Sequence, residues 1–220
     1  MVEVELKFQI PEARRNALLK ALDAKKSQII PLKAKYYDTQ DGLLSQHGVA
    51  LRQRLEGTRW VQTLKAAGKS HVHRFEHNYD LGELQDAPEL DLSIYTEHAE
   101  AEQILKHALG DSHAELKLQF ETDIQRTFRV MHFEDTEIEV SLDVGEVRTA
   151  TAQQAMHEVE FELKSGQLSE LIDFIQPWVQ RYALWLDTRS KSERGYALLH
   201  GEENLPVQHQ LPLVLEQKDQ

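Results

Sequence analysis

Strict alternation of apolar and charged residues is the feature of this sequence that most restricts its fold. The alternation begins at the second residue, in Val2-Glu3-Val4-Glu5-Leu6-Lys7-Phe8. A period of two indicates a β-strand with two unlike faces. Similar patterns recur in segments 51–56, 74–80, 137–143 and 158–164. Charged faces of both signs on so many strands predict one shared polar site, which a closed sheet could gather around a lumen.

The order of predicted elements favours an α+β fold with a mainly antiparallel sheet. Helices are predicted over 11–24, 93–109 and 168–182, and a last helix is predicted to begin at the capping-box pattern Ser190-x-x-Glu193. Strands are predicted over 2–8, 29–37, 49–55, 60–65, 73–79, 116–126, 129–133, 136–144 and 157–163. Because strands and helices do not alternate regularly, a doubly wound parallel sheet is disfavoured. The apolar strand faces are expected to point outward under the helices, with the charged faces inward.

Composition narrows the classes of function. The chain has 220 residues and a net charge of −12, which argues against nucleic acid because phosphate binding usually leaves a basic footprint. No apolar run approaches the ~20 residues of a membrane-spanning helix. A strand predicted from residue 2 leaves no room for a signal peptide, so the cytoplasm is expected. The absence of cysteine excludes thiolate metal ligands, and His71-x-His73, which lacks a third ligand, is interpreted as surface histidine.

Two Glu-x-Glu pairs and one Arg-x-Arg pair are the candidate chemical groups. Glu3 and Glu5 share one strand face, as do Glu158 and Glu160, and such hard oxygen donors suit Mg²⁺ or Mn²⁺. The pair Arg52-x-Arg54 also shares a face, and guanidinium groups suit bidentate phosphate contacts. For the carboxylates the alternative is a solvated strand face, and for the arginines it is salt bridges to those carboxylates. Salt bridging and phosphate binding can both occur in one lumen.

The segment Glu3-x-Glu5-x-Lys7 resembles the ExExK signature of the CYTH superfamily, the triphosphate tunnel metalloenzymes. Further stretches similar to the family follow in the expected order: Tyr36-Tyr37-Asp38-Thr39, Ala50-Leu51-Arg52-x-Arg54, Thr63-x-Lys65, Arg74-x-Glu76, Arg126, Leu142-Asp143-x-Gly145-Glu146-Val147, Glu158-x-Glu160-x-Glu162 and Ser190-Lys191-x-x-Arg194-Gly195-Tyr196. The resemblance covers a domain of residues 1–200. Residues 201–220 are expected to form a C-terminal tail or the start of a lost linker, since some bacterial members continue into a helical CHAD domain.

The resemblance implies a closed eight-stranded antiparallel barrel with helices packed outside and two divalent ions, Mg²⁺ or Mn²⁺, in its tunnel. The residues it implies as metal ligands are Glu3, Glu5, Glu76, Asp143, Glu158 and Glu160. Those it implies for substrate binding are Lys7, Arg52, Arg54, Lys65, Arg74, Arg126 and Lys191. Glu158, Glu160 and Lys191 are the predicted catalytic residues.

The expected activity is metal-dependent hydrolysis of inorganic triphosphate, because the motif set is most similar to that of bacterial inorganic triphosphatases. Class IV adenylyl cyclase and thiamine triphosphatase use the same scaffold and stay open as alternatives. A non-catalytic polyphosphate-binding module is a further alternative, which both Glu-x-Glu pairs disfavour. The expected partner is a small-molecule polyphosphate, without nucleic acid or membrane, and the chain is expected to be a monomer or homodimer.

Overall fold

The structure is a computed structural model that describes residues 4–23, 25–70, 73–110 and 115–201, without the side chains at 67–70, 73 and 74. Its strands are β1 (Glu5–Gln9), β2 (Gln28–Asp38), β3 (Val49–Glu56), β4 (Arg59–Ser70), β5 (His73–Glu83), β6 (Lys117–Phe133), β7 (Thr136–Arg148), β8 (Gln153–Ser165) and β9 (Trp185–Leu186). Its helices are α1 (Glu12–Leu22), α2 (Leu43–Gln46), α3 (Ala99–Leu109), α4 (Leu168–Tyr182) and α5 (Lys191–Leu199), with a 3₁₀ turn at Ser93–Tyr95. No helix in the described ranges is long and apolar enough to cross a membrane.

The strands form one antiparallel sheet in the order β5-β4-β3-β2-β6-β7-β8-β1-β9. The predicted antiparallel α+β fold is therefore confirmed. The predicted closure into eight strands is wrong for the part of the chain that the structure describes, because β5 and β9 are the two ends of the hydrogen-bonded order. The physical reason is that β9 pairs with the outer edge of β1 at Phe8 and Gln9, an edge that closure would need. The sheet is nevertheless strongly curved, since residues from β1 through β8 line one cavity.

The outer face of the sheet is apolar and covered by helices. One buried cluster joins β1, β7 and β8 to α1 and α4, with Phe8 and Phe161 in edge-to-face contact at 5.8 Å between ring centroids. A second cluster packs β3 and β4 against α2 and α3, around Leu51, Leu64 and Leu105. Burial of these apolar faces leaves the alternate residues of each strand on the concave side. The predicted division into apolar outer and charged inner faces is confirmed for these two clusters, but not where α5 covers a third apolar cluster on the concave side.

Helix α5 packs inside the curve of the sheet, next to the polar residues, so the prediction that the helices pack outside is wrong for α5. A third apolar cluster lies beneath it, and Tyr196 of α5 meets Phe120 of β6 at 5.1 Å between ring centroids. A Cβ atom at Gly195 would come within 2.1 Å of the Phe120 ring, so this close approach requires glycine. The predicted capping box of Ser190 and Glu193 is present and fixes where the helix begins. The first turn of α5 consequently points its side chains at the concave face.

Several elements differ from the sequence predictions. Strand β6 is continuous where two strands were predicted, because β2 and β7 pair with it on both sides through 126–128. The helix predicted from Ser93 is a 3₁₀ turn followed by α3, which begins only at Ala99. Elements as short as α2 and β9 contain too few residues for a periodic pattern, which is why the sequence did not reveal them.

Candidate active site

A polar cavity of about 190 Å³ lies inside the curved sheet. This volume is more than ten times what one enclosed water molecule needs, so the cavity can hold a solute of several heavy atoms. Each of the first eight strands contributes to its wall, together with the first turn of α5. The lining residues are Glu5, Lys7, Tyr36, Ala50, Arg52, Arg54, Lys65, Glu76, Arg126, Ser141, Glu160, Glu162, Ser190, Lys191 and Ser192.

Three buried carboxylates meet at one side of the cavity and are here called the acidic cluster: Asp143, Glu158 and Glu160. Asp143 of β7 lies directly opposite Glu158 of β8 in the strand register. Each of the three residues offers one oxygen atom within 4.8 Å of the other two. Asp143 and Glu158 are fully buried and Glu160 is 7% exposed. Such close burial of like charges is unfavourable unless cations compensate it.

Lys191 is the cation at the centre of the acidic cluster. Its Nζ lies 2.8 Å from Asp143 Oδ2 and 2.9 Å from Glu160 Oε1, and it also donates a hydrogen bond to Glu158 Oε1. Burial alone would lower the pKa of Lys191, but the three carboxylates outweigh burial and raise this pKa well above 10.5. As the first residue of α5, Lys191 is carried into the cluster by the capped helix.

Arg126 and Lys7, on neighbouring strands, supply further positive charge next to the acidic cluster. Arg126 donates a bidentate pair of hydrogen bonds to Asp143, both 2.7 Å long, and another to Glu160. Lys7 lies opposite Glu160 in the β1–β8 register, with its Nζ 3.3 Å from Glu160 Oε1. Burial alone would raise the pKa of Glu160, but Lys191, Lys7 and Arg126 outweigh burial and lower this pKa to well below 4.5. Glu160 is therefore ionised at neutral pH.

The opposite wall of the cavity is basic. Lys65 is paired with Glu76 across β4 and β5 at 2.6 Å, and Arg54 hydrogen bonds to Glu56. Arg52 is different: within the part of the chain that the structure describes, it has no carboxylate within ion-pair distance. It is only 8% exposed, and its Nε is buried without a hydrogen-bond partner. A buried guanidinium without a contacting counter-ion indicates a place for an anion.

Tyr36 lies beside Arg52, and its pKa is shifted by the positive charge of this wall. The two residues are directly opposite in the β2–β3 register. Burial alone would raise the pKa of Tyr36, but Arg52 outweighs burial, with help from Lys191 and Arg54, and lowers it. The pKa of Arg54 is lowered mainly by burial and also by Arg52, despite the hydrogen bonds that it donates to Glu56. Like charges thus crowd each other on this wall.

The predicted site residues divide into three groups. Asp143, Glu158, Glu160, Lys7, Arg126 and Lys191 form one network around the acidic cluster. Glu5, Glu76, Arg52, Arg54 and Lys65 line the same cavity, but neither of these carboxylates belongs to the acidic cluster. Glu3, the Arg74 side chain and the His71-x-His73 motif lie outside the described residues, as does the tail from 202.

Sequence reasoning missed Asp187 and the cavity-lining Ser141 and Ser192, and it identified Ser190 as a helix cap and motif residue without a place in the cavity wall. Asp187 is 3% exposed and binds both Arg189 and Arg194, next to Glu158. A lone aspartate after two strand residues carries no motif and no periodic signal, so only the fold reveals it.

The acidic cluster suits a divalent cation held by oxygen ligands. It offers three buried carboxylates of the hard type that Mg²⁺ and Mn²⁺ prefer. Glu158 Oε2 is buried without a hydrogen-bond partner and so retains acceptor capacity. Lys191 Nζ lies where the three carboxylates converge. The position where a cation contacts all three carboxylates is thus occupied by this ammonium group.

Fold and site together define the class of this protein. It has a curved antiparallel sheet whose concave face carries buried carboxylates on one wall and, on the other, an arginine with no carboxylate partner among the described residues. The chain belongs to the CYTH domain family, whose model matches residues 1–196.

Individual relatives agree with this membership. The inorganic triphosphatase of Haemophilus influenzae is 34% identical over 167 residues, which cover 74% of this chain and 44% of that protein, so the chain spans less than half of that relative. A putative adenylate cyclase from Bacillus halodurans has a TM-score of 0.60 at 18% identity, over 88% of this chain and 96% of that one. A putative adenylyl cyclase from Hippeastrum, described as having a dominant triphosphatase activity, has a TM-score of 0.58 at 18% identity, over 94% and 99%. At this identity, the structural matches show a shared fold alone.

Proposed function

We propose that this protein hydrolyses inorganic triphosphate to pyrophosphate and phosphate and that it requires a divalent metal ion, Mg²⁺ or Mn²⁺. One observation carries the proposal: buried Arg52, which contacts no counter-ion among the described residues, lies on the wall of a cavity beside a cluster of three buried carboxylates. A triphosphate complexed with a divalent ion presents charges complementary to both walls. The 34% identity to an inorganic triphosphatase supports the same activity.

The basic wall is the proposed substrate-binding surface. Arg52 and Arg54 can each give two parallel hydrogen bonds to phosphate oxygens, while Lys65 adds a point charge. Lys65 and Arg54 would exchange Glu76 and Glu56 for phosphate, whereas Arg52 has no such bond to break. Arg126 and Lys7 can reach phosphate from the acidic side of the cavity.

The lining of the cavity favours an inorganic substrate. Apart from Tyr36 and Ala50, all its residues are charged or are serine. Such a wall provides little apolar surface on which an adenine or thiazole ring could stack. Inorganic triphosphate is therefore favoured over ATP and thiamine triphosphate.

The acidic cluster is the proposed site of one metal ion, with Asp143, Glu158 and Glu160 as its ligands. Glu5 and Glu76 on the cavity wall, with Glu3, are the proposed ligands of a second. Bound metal would supply neutralisation of phosphate charge and a water of lowered pKa for in-line attack. Lys191, released from the carboxylates, would hold the reacting phosphoryl group at the amino end of α5, where the helix dipole also attracts anions.

The decisive experiment measures phosphate release from triphosphate, pyrophosphate, ATP and thiamine triphosphate side by side, with Mg²⁺ or with Mn²⁺. We expect triphosphate to be hydrolysed much faster than the others and chelation to abolish release. Glu160→Gln is the background control for contaminating phosphatases. Cyclic AMP formation would assign the protein as a cyclase, preferred thiamine triphosphate would assign that activity, and triphosphate binding without turnover would leave a binding module.

A further inference from the structure

An ion-pair group lies next to the acidic cluster and consists of the buried residues Asp187 and Arg194 and the partly exposed Arg189. Arg194 Nη2 is 2.6 Å from Asp187 Oδ2, and Arg189 donates to both oxygens of the same carboxylate at 3.0 and 2.8 Å. The backbone N–H of Asp187 donates to the carbonyl oxygen of Lys7 at 3.0 Å, which anchors this group on β1. Burial would raise the pKa of Asp187, but hydrogen bonds from Arg189 and Arg194 lower it far below 3.8.

Arg194 connects this group to the acidic cluster through Glu158. Arg194 and Lys191 are three positions apart in α5, so their side chains lie on the same helix face. Lys191 binds Glu158 Oε1, while Arg194 Nη2 lies 3.9 Å from Glu158 Oε2. One helix face therefore places Lys191 in hydrogen-bond contact with Oε1 and Arg194 at ion-pair distance from Oε2, which accepts no hydrogen bond from the described residues.

Arg194 is not in contact with the cavity. It is 6% exposed and is absent from the lining, to which Lys191 contributes. Its charge is balanced at short range by Asp187, so it changes the net field at the acidic cluster little. What it can do is attract Glu158 Oε2 toward the interior, which leaves Oε1 facing Asp143 and Glu160.

We infer that Arg194, anchored by Asp187, is a positioning residue that orients Glu158 as a metal ligand. The inference rests on the proposed function, because it takes the acidic cluster to be a metal site. Partners that orient a metal ligand typically affect metal affinity about 10- to 100-fold. An arginine fork can span two carboxylates, whereas the shorter, compact ammonium group of lysine can hold Asp187 but not reach Glu158 as well.

The test measures Mn²⁺ binding without substrate, from the paramagnetic resonance signal of free Mn²⁺. Arg194→Lys keeps the charge beside Asp187 and is expected to weaken Mn²⁺ binding about 10-fold or more. The double variant Asp187→Asn/Arg194→Gln removes the pair without leaving a lone buried charge and should weaken binding at least as much. Arg189→Lys is the matched control: it changes the other arginine of Asp187, keeps the contact between Arg194 and Glu158, and should bind like the parent. Circular dichroism and urea melts verify that each variant is folded.

The outcomes distinguish positioning of Glu158 from a change in electrostatic field and from loosening of the whole segment. Unchanged or tighter binding in folded Arg194→Lys and in the double variant would overturn the inference, because both variants keep the net charge and differ from the parent in the contact of Arg194 with Glu158. Equal weakening in Arg189→Lys would also overturn it, since general loosening of the segment would then suffice. A parent protein that does not bind Mn²⁺ would overturn the metal part of the proposed function, and this inference with it.

Discussion

Lys191 Nζ lies 2.8 Å from Asp143 Oδ2, although the two residues come from α5 and from the middle of β7. The contact puts an ammonium group at the point where three carboxylates converge. The acidic cluster is thereby neutralised from within the chain, by a residue that can move away on a flexible stem. Metal binding and the release of Lys191 are for this reason expected to be coupled.

Replacing Lys191 should strengthen metal binding while it weakens hydrolysis. In Lys191→Met the competing ammonium group is gone, so Mn²⁺ should bind about tenfold tighter without substrate, a gain of about 1.4 kcal/mol. Turnover of triphosphate should fall because the phosphoryl group loses a cation. Direct Mn²⁺ titration and phosphate release measure the two effects. Lys106→Met, which removes an exposed lysine on α3, is the control and should change neither. Weaker Mn²⁺ binding in Lys191→Met would contradict the competition.

The two glutamates proposed for different metal sites should behave differently. Glu160 belongs to the acidic cluster, whereas Glu76 is paired with Lys65 on the other wall. Glu160→Gln should reduce Mn²⁺ affinity by at least the about 10- to 100-fold typical for losing a partner of a metal ligand, because it removes a charged ligand itself. Glu76→Gln should leave the tightest Mn²⁺ site intact and affect binding only at higher metal concentration. A titration that yields stoichiometry as well as affinity distinguishes them, and equal loss of the tight site in both variants would contradict the assignment.

Removal of Arg52 should raise the triphosphate concentration required for activity. A hydrogen bond to a charged group contributes about 1.5–3 kcal/mol, so Arg52→Ala should raise KM for triphosphate roughly 10- to 150-fold. Arg59→Ala is the control, because Arg59 is half exposed and pairs with Asp80 away from the cavity. Initial rates over a wide range of triphosphate concentration measure the effect. A KM equal to that of the parent would remove Arg52 from the substrate site.

The strand pattern predicted the outline of this site but not its contacts. Alternation correctly put the charged residues on one face, and the capping pattern correctly located the start of α5. The pattern treats Glu5 and Glu160 alike, yet Glu5 is exposed while Glu160 is buried among three cations. That difference depends on strand register and on where α5 packs, which arise from contacts distant in sequence. The ion pair between Asp187 and Arg194 likewise could not be predicted, because it forms only when the fold brings the two residues together.

Acid should destabilise the metal-free protein, and the Lys191→Met variant more than the parent. The pKa values of Asp143 and Glu160 are lowered in the folded state, from ordinary values of 3.8 and 4.5. Their stabilisation is therefore fully present above pH 4.5 and is lost as pH falls through the lowered values. The pKa of Lys191 is raised, so its contribution holds below pH 10.5 and is lost only at still higher pH.

Without Lys191, both carboxylates lose a cation and their folded pKa values rise. The loss of stability in Lys191→Met should consequently begin at a higher pH than in the parent. Urea unfolding from pH 3 to pH 8 in a chelating buffer measures this, again with Lys106→Met as the control. If the free energy of unfolding fell over the same acid pH range in Lys191→Met and in the parent, the ammonium group would not be what keeps these carboxylates ionised.

Metal and triphosphate should stabilise the folded protein cooperatively. Each relieves one set of crowded charges, the acidic cluster or the basic wall, and the unfolded chain has neither set. A ligand at a hundred times its dissociation constant adds about 2.7 kcal/mol, or roughly 5–11 °C in Tm for a chain of this length. Because a bound ion also attracts phosphate, Ca²⁺ as a non-hydrolysing ion together with triphosphate should raise Tm by more than the two separate shifts combined. Thermal melts with neither ligand, each alone and both measure this.

The double variant Arg52→Ala/Arg54→Ala should keep the Ca²⁺ shift and lose most of the triphosphate shift. An undiminished triphosphate shift in that variant would mean that the anion binds outside the cavity.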